Sequence, residues 1–89
     1  MLKKTVTIKN KLGLHARAAV KFVNLANRFA SSVRIEKDGA EIDGKSILGI
    51  LTLAAVQGTR ITLKISGKDE KNALKALVAL IDDRFQEKE

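Results

Sequence analysis

Two periodicities alternate along this chain and leave few ways for it to fold. Leu2, Val6 and Ile8 face one way and Lys3, Thr5 and Thr7 the other, the period-two pattern of a half-buried strand. Lys4 falls on the apolar face near the fraying end, where its long stem reaches solvent. From Ala16 to about Arg28 the period changes: Ala19, Phe22, Val23 and Ala26 recur at helical spacing, with Lys21, Asn24 and Asn27 opposite. Phe29 is expected to tuck into the core as the chain leaves this helix. Val33 and Ile35 alternate with Arg34 and Glu36 in a second strand, and Asp38-Gly39 is a hairpin signal leading into a third strand through Ala40 and Ile42. Ile61, Leu63 and Ile65 alternate with Arg60, Thr62 and Lys64 in a fourth. The core face of a final helix is expected at Leu74, Leu77, Val78, Ile81 and Phe85, with a fraying tail from Gln86 to Glu89. The order strand, helix, strand, strand, helix, strand, helix predicts one α+β domain over residues 1–89, an antiparallel or mixed sheet with helices on one side.

The fifth element in that order carries an excess. Ser46 is placed to cap a short helix at the start of Ile47-Leu48-Gly49-Ile50-Leu51-Thr52-Leu53-Ala54-Ala55-Val56. One helix on a chain of 89 residues cannot bury a run this apolar, so part of it is expected at the surface as a contact patch.

The chemistry concentrates at Asn10 to Ala19. The chain's single histidine, His15, stands between a loop broken by Gly13 and the first helix, which begins at Ala16. A helix N-terminus offers unpaired N–H groups and partial positive charge, and Arg17 adds a fixed cation within the first turn. A neutral imidazole there is arranged to accept a phosphoryl group and to stabilise it once attached.

Composition narrows the alternatives. With 17 Lys and Arg against 10 Asp and Glu the net charge is +7, which suits an acidic partner. Three Phe with no Tyr or Trp argue against base stacking on single-stranded nucleic acid, and neither a GxxG phosphate clamp nor aromatic RNA-binding motifs occur. No cysteine is present, so disulfide and thiol chemistry are excluded; no metal-ligand set and no cofactor are expected. No apolar run is long enough to cross a membrane, and Met-Leu-Lys-Lys-Thr-Val-Thr lacks the core of a signal peptide, so a cytoplasmic monomer is expected.

Gly13-Leu14-His15-Ala16-Arg17 and Gly44-Lys45-Ser46-Ile47-Leu48-Gly49, at this separation and within this element order, resemble the two motifs of the HPr family, the histidine-containing phosphocarriers of the bacterial phosphotransferase system. The resemblance implies an open-faced β-sandwich, a four-stranded antiparallel sheet with three helices on one face. It implies that His15 accepts a phosphoryl group on Nδ1 from phospho-Enzyme I and passes it to IIA components, with Arg17 on the phosphoryl oxygens. Ser46 falls at the regulatory phosphosite, implying a serine kinase/phosphorylase as a further partner. Ile47, Leu48 and Leu51 fall at the apolar docking patch, with Lys45 beside it. Without independent catalytic apparatus, the chain is expected to be a component of a relay and not a stand-alone enzyme.

Two departures are visible. Ala18 stands where the family often has proline, a change a helix start tolerates. Asn24, Asn27 and Gly49 occupy partner-facing positions that tend to be basic, with Lys21, Arg28 and Lys45 as alternative sources of charge. Two other readings compete: a purely regulatory relative, against which the retained His15 argues, and a small basic nucleic-acid-binding domain.

Overall fold

The computed structural model describes residues 1–88. The elements are β1 (Leu2–Thr7), α1 (Ala16–Ala26), β2 (Ser32–Lys37), β3 (Ala40–Asp43), α2 (Ile47–Leu53), β4 (Arg60–Ser66) and α3 (Glu70–Asp82), followed by a single 3-10 turn at Arg84–Gln86. All pairings are antiparallel, and the strands lie in the order β1-β4-β2-β3.

The alternation of the strands explains the layering. Val6, Val33, Ile35, Ile61, Leu63 and Ile65 are buried beneath Phe22, Val23, Ile50, Leu77 and Ile81 of the helices. The opposite face carries Thr5 against Thr62, their hydroxyls 3.0 Å apart, and Lys64 held by Glu36 at 2.6 Å and Glu41 at 3.3 Å. This is the open-faced sandwich. Lys4 pairs with Leu63 in register yet stays exposed, because β1 is an edge strand. The β2–β3 hairpin turns through Asp38 and Gly39 with φ of 50° and 84°, the left-handed pair that a two-residue hairpin requires.

Two boundaries differ from the sequence reading. The first helix ends at Ala26, with Asn27 as its cap; Arg28 and Phe29 then bond back to Leu25 and Ala26 in a tightened last turn. Phe29 is only partly buried against the core. The largest correction is at the C-terminus. Phe85 is not on the face of α3: the helix stops at Asp82, and Arg84, Phe85 and Gln86 adopt φ of 55°, 54° and 64°. This left-handed turn costs about 1–2 kcal/mol per residue, and complete burial of the Phe85 ring offsets it. The reversal sends the chain back toward α1, so Glu87 does not fray but bonds to Asn10 and His15. Glu89, also assigned to the fraying tail, lies outside the described residues.

Asp69 ties two loops together. Its carboxylate accepts from the amides of Ala30 at 2.9 Å and Ser31 at 3.0 Å and from the Ser31 hydroxyl. The Ser31 hydroxyl first, then the Ala30 amide, hold its pKa below the ordinary carboxylate value of 3.8. A carboxylate with a depressed folded-state pKa stabilises the fold above its unfolded pKa, and that contribution disappears as pH falls through the lower folded value. The melting temperature of the native protein is therefore expected to fall below about pH 4, and Asp69→Asn to fall less steeply there; parallel melting curves for the two proteins between pH 7 and 2 would contradict the role assigned to Asp69.

Candidate functional site

His15 is the N-cap residue of α1, in extended conformation (φ −83°, ψ 178°), and its side chain makes no capping bond. Among the described residues no side chain caps this 11-residue helix, so its first-turn amides are available as donors. The loop before it is fixed by backbone and one buried amide. Gly13 donates to Asn10 O at 3.2 Å, Leu14 donates to Ala55 O at 2.8 Å, and His15 donates to Gly13 O at 2.9 Å. Gly13 has φ +70°, and a Cβ there would stand 2.4 Å from Ala55 O; the close approach of the two backbones admits only glycine.

The imidazole is half-buried, with 26% of its side chain exposed, and its Nε2 lies 2.5 Å from Glu87 Oε2. Glu87 Oε1 accepts from Asn10 Nδ2 at 3.0 Å, and the same Asn10 amide donates to Gly13 O at 2.8 Å. Burial raises the Glu87 pKa, but hydrogen bonds from Asn10 and His15 outweigh it and hold the carboxyl below its ordinary value of 4.5. Lys21 donates to Phe85 O at 2.7 Å and secures the returning chain. Arg17 is exposed on the first turn of α1 and lines, with Lys11, Lys21, Glu87 and Lys88, an open groove of about 470 Å³ beside the histidine. Ala16 opens α1 and is exposed. The site thus combines an imidazole with one nitrogen engaged, uncapped helix amides and a cationic groove, a set suited to a transferable anion.

Ser46 caps α2 as its position suggested, its Oγ accepting from Gly49 N at 3.0 Å. It sits at the far end of α2 from the His15 loop: seven helical residues, roughly 10 Å of rise, separate it from the Ala54–Ala55 end. Gly49 leaves this cap uncrowded, since a Cβ there would stand 3.3 Å from Ser46 Oγ. Between the two ends Ile47, Leu48 and Leu51 are exposed, Leu48 at 73%. Lys45 extends not outward but to Phe29 O, at 2.8 Å.

The sequence did not disclose Asn10 or Glu87, nor that Leu12 and Val56, each 65% exposed, lengthen the apolar surface toward the histidine loop. Their only sequence signals were Asn10 beside the glycine loop and an apolar Phe85 two residues ahead of an acid.

The family description "PTS HPr component phosphorylation site" matches residues 2–83. The chain belongs to the HPr family. Among its relatives are the phosphocarrier protein HPr of Cupriavidus necator, 49% identical over all of both chains, and that of Pseudomonas aeruginosa, 51% identical over 94% of each. The HPr-like protein Crh of Bacillus subtilis is 45% identical over 93% of this chain and 98% of its own. Among solved structures, HPr-C-His from Thermoanaerobacter tengcongensis superposes with a TM-score of 0.96 at 46% identity, covering both chains fully. An HPr dimer from the same organism has a TM-score of 0.79 at 47% identity, over 98% of this chain and all of that one. This membership makes the chain an HPr-type phosphocarrier of the phosphotransferase system and implies partners from that system, such as Enzyme I and IIA. Among the described residues no helix is long and apolar enough to cross a membrane.

Proposed function

We propose that His15 is the covalent way-station of a phosphoryl relay, taking the group on Nδ1 from phospho-Enzyme I and yielding it to a IIA component in the cytoplasm. The observation that carries this reading is the position of His15 at an uncapped helix start, with Nε2 already engaged by Glu87 and a cationic groove beside it. Engagement of Nε2 leaves Nδ1 as the nucleophilic nitrogen. Phosphoryl transfer passes through a loose transition state whose charge spreads over the equatorial oxygens, so the carrier needs positioned donors more than it needs bond-making groups. The Arg17 guanidinium and the first-turn amides of α1 supply them.

The test is direct: with Enzyme I and labelled phosphoenolpyruvate, the chain becomes labelled, and the acid-labile, base-stable label then moves to an added IIA component. A folded chain left unlabelled by competent Enzyme I would overturn the reading in favour of a protein-binding regulatory role.

We assign Ser46 as a regulatory phosphosite and Ile47, Leu48 and Leu51 as the docking patch around it. A phosphate at a helix N-cap is tolerated by the helix dipole, but adds close to two negative charges beside the exposed Leu48. Ser46→Asp is expected to slow acceptance from phospho-Enzyme I about tenfold at low salt and less at high salt, through repulsion at the interface. The same slowing at every ionic strength would contradict this electrostatic account.

A further inference from the structure

We infer that Glu87 is a positioning residue that holds His15 in the tautomer carrying its proton on Nε2, with Asn10 fixing the carboxylate for that task. The inference rests on His15 as the phosphoryl acceptor and goes beyond it, because it adds a residue 72 positions away in sequence to the transfer machinery.

The geometry selects one tautomer. An ionised carboxylate only accepts hydrogen bonds, so a carboxylate oxygen 2.5 Å from Nε2 requires the proton on that nitrogen. The lone pair of the neutral ring then lies on Nδ1. Glu87 cannot turn away easily: Asn10, fully buried, donates to its other oxygen while bonding to Gly13 O, and Phe85 and Lys21 anchor the turn before it.

The same contact favours the transferred state. The Nδ1 lone pair forms the new N–P bond as the bond to the donor's phosphohistidine breaks, that electron pair returning to the donor nitrogen. The donor ring, protonated on its other nitrogen, leaves neutral; His15, neutral at the start, becomes cationic. Each ring keeps its own N–H, so no proton has to move, and the positive charge appears on His15 directly against the Glu87 carboxylate. This is the arrangement of an acid orienting an imidazole, here serving a histidine that is itself the nucleophile.

Glu87→Gln separates this role from mere support of the tail. Asn10 is fixed as a donor toward residue 87 by its bond to Gly13 O, so a glutamine there turns its carbonyl to Asn10 and its NH₂ to His15. An NH₂ facing Nε2 needs a lone pair on it and drives the proton to Nδ1, the nitrogen that must attack. Glu87→Ala lets both tautomers form. The transfer rate from phospho-Enzyme I is therefore expected to fall about tenfold in Glu87→Ala and further, about a hundredfold, in the more conservative Glu87→Gln. Imidazole ¹⁵N spectra of the unphosphorylated proteins are expected to show Nε2–H in the native protein, a mixture in Glu87→Ala and Nδ1–H in Glu87→Gln. If residue 87 served only to hold the tail, glutamine would be the milder change and the tautomer would not follow it.

A Glu87→Gln protein as fast as the native one, or a native protein with its proton on Nδ1, overturns the inference; the native spectrum decides even if a variant does not fold. His15→Ala in parallel keeps the two claims apart. Acceptance by His15→Ala would defeat the reading of His15 itself, whereas normal His15 behaviour with an unaffected Glu87→Gln would defeat only the role of Glu87.

Discussion

His15→Ala is expected to fold like the parent protein and to accept no phosphoryl group from phospho-Enzyme I. The folding half of this expectation follows from what the side chain does not do. His15 caps α1 through its backbone conformation alone, with Ala19 N bonded to His15 O at 2.9 Å, and an alanine preserves both. Alanine gives up only the hydrogen bond from the neutral imidazole to Glu87, beside an open groove where water can take the imidazole's place on the carboxylate, and such a bond contributes about 1 kcal/mol net. The chemical half follows from the lack of a substitute: the groove is lined by arginine and lysine cations, which offer no free lone pair for attack on phosphorus. A variant melting within a few degrees of the native protein, with label below detection, is the expected pair of results. Full acceptance by the variant would remove His15 from the centre of the site.

Phe85→Ala carries the second large effect, this time on stability. The ring is fully buried although its backbone is left-handed, so truncation removes the packing that offsets the turn and leaves the turn's cost in place. The expected loss is about 3–5 kcal/mol, a fall in melting temperature of more than about 10 °C for a domain of this size. Phe85→Leu retains most of the volume and is expected to lose less than half as much. Because Phe85 anchors the turn that returns Glu87 to His15, the folded fraction of Phe85→Ala is also expected to transfer phosphate at a rate near that of Glu87→Ala. A change of only one or two degrees in a thermal melt would show that the turn holds without its aromatic anchor.

Phe85 also shows where sequence patterns stop. Its spacing after Ile81 reads as one more step of an amphipathic helix, and its burial is legible for that reason. The chain reversal is not: positive φ at Arg84, Phe85 and Gln86 is imposed by tertiary packing and runs against the local preference of all three residue types. The sheet is easier to read, because Val33, Ile35, Ile61, Leu63 and Ile65 alternate strictly and one face has to be buried.

The site divides the same way. His15, Arg17, Gly13 and Ser46 lie in short contiguous motifs, and their places at two helix starts follow from local signals. Asn10 and Glu87 come from a loop and a polar tail without periodicity, and the bond between them spans 77 residues. Lys45 reads as a docking charge because no local pattern reveals that the Phe29 carbonyl lies within its reach.

The most direct test of His15 as the way-station is the position of the phosphorus atom. Protein labelled with ¹⁵N in the histidine ring, phosphorylated by Enzyme I and phosphoenolpyruvate, reports its N–P bond through phosphorus–nitrogen coupling. Coupling to Nδ1 of His15, with the proton retained on Nε2, is the predicted result. Phosphorus on Nε2, on a residue other than His15, or absent from folded protein in the presence of competent Enzyme I would contradict it.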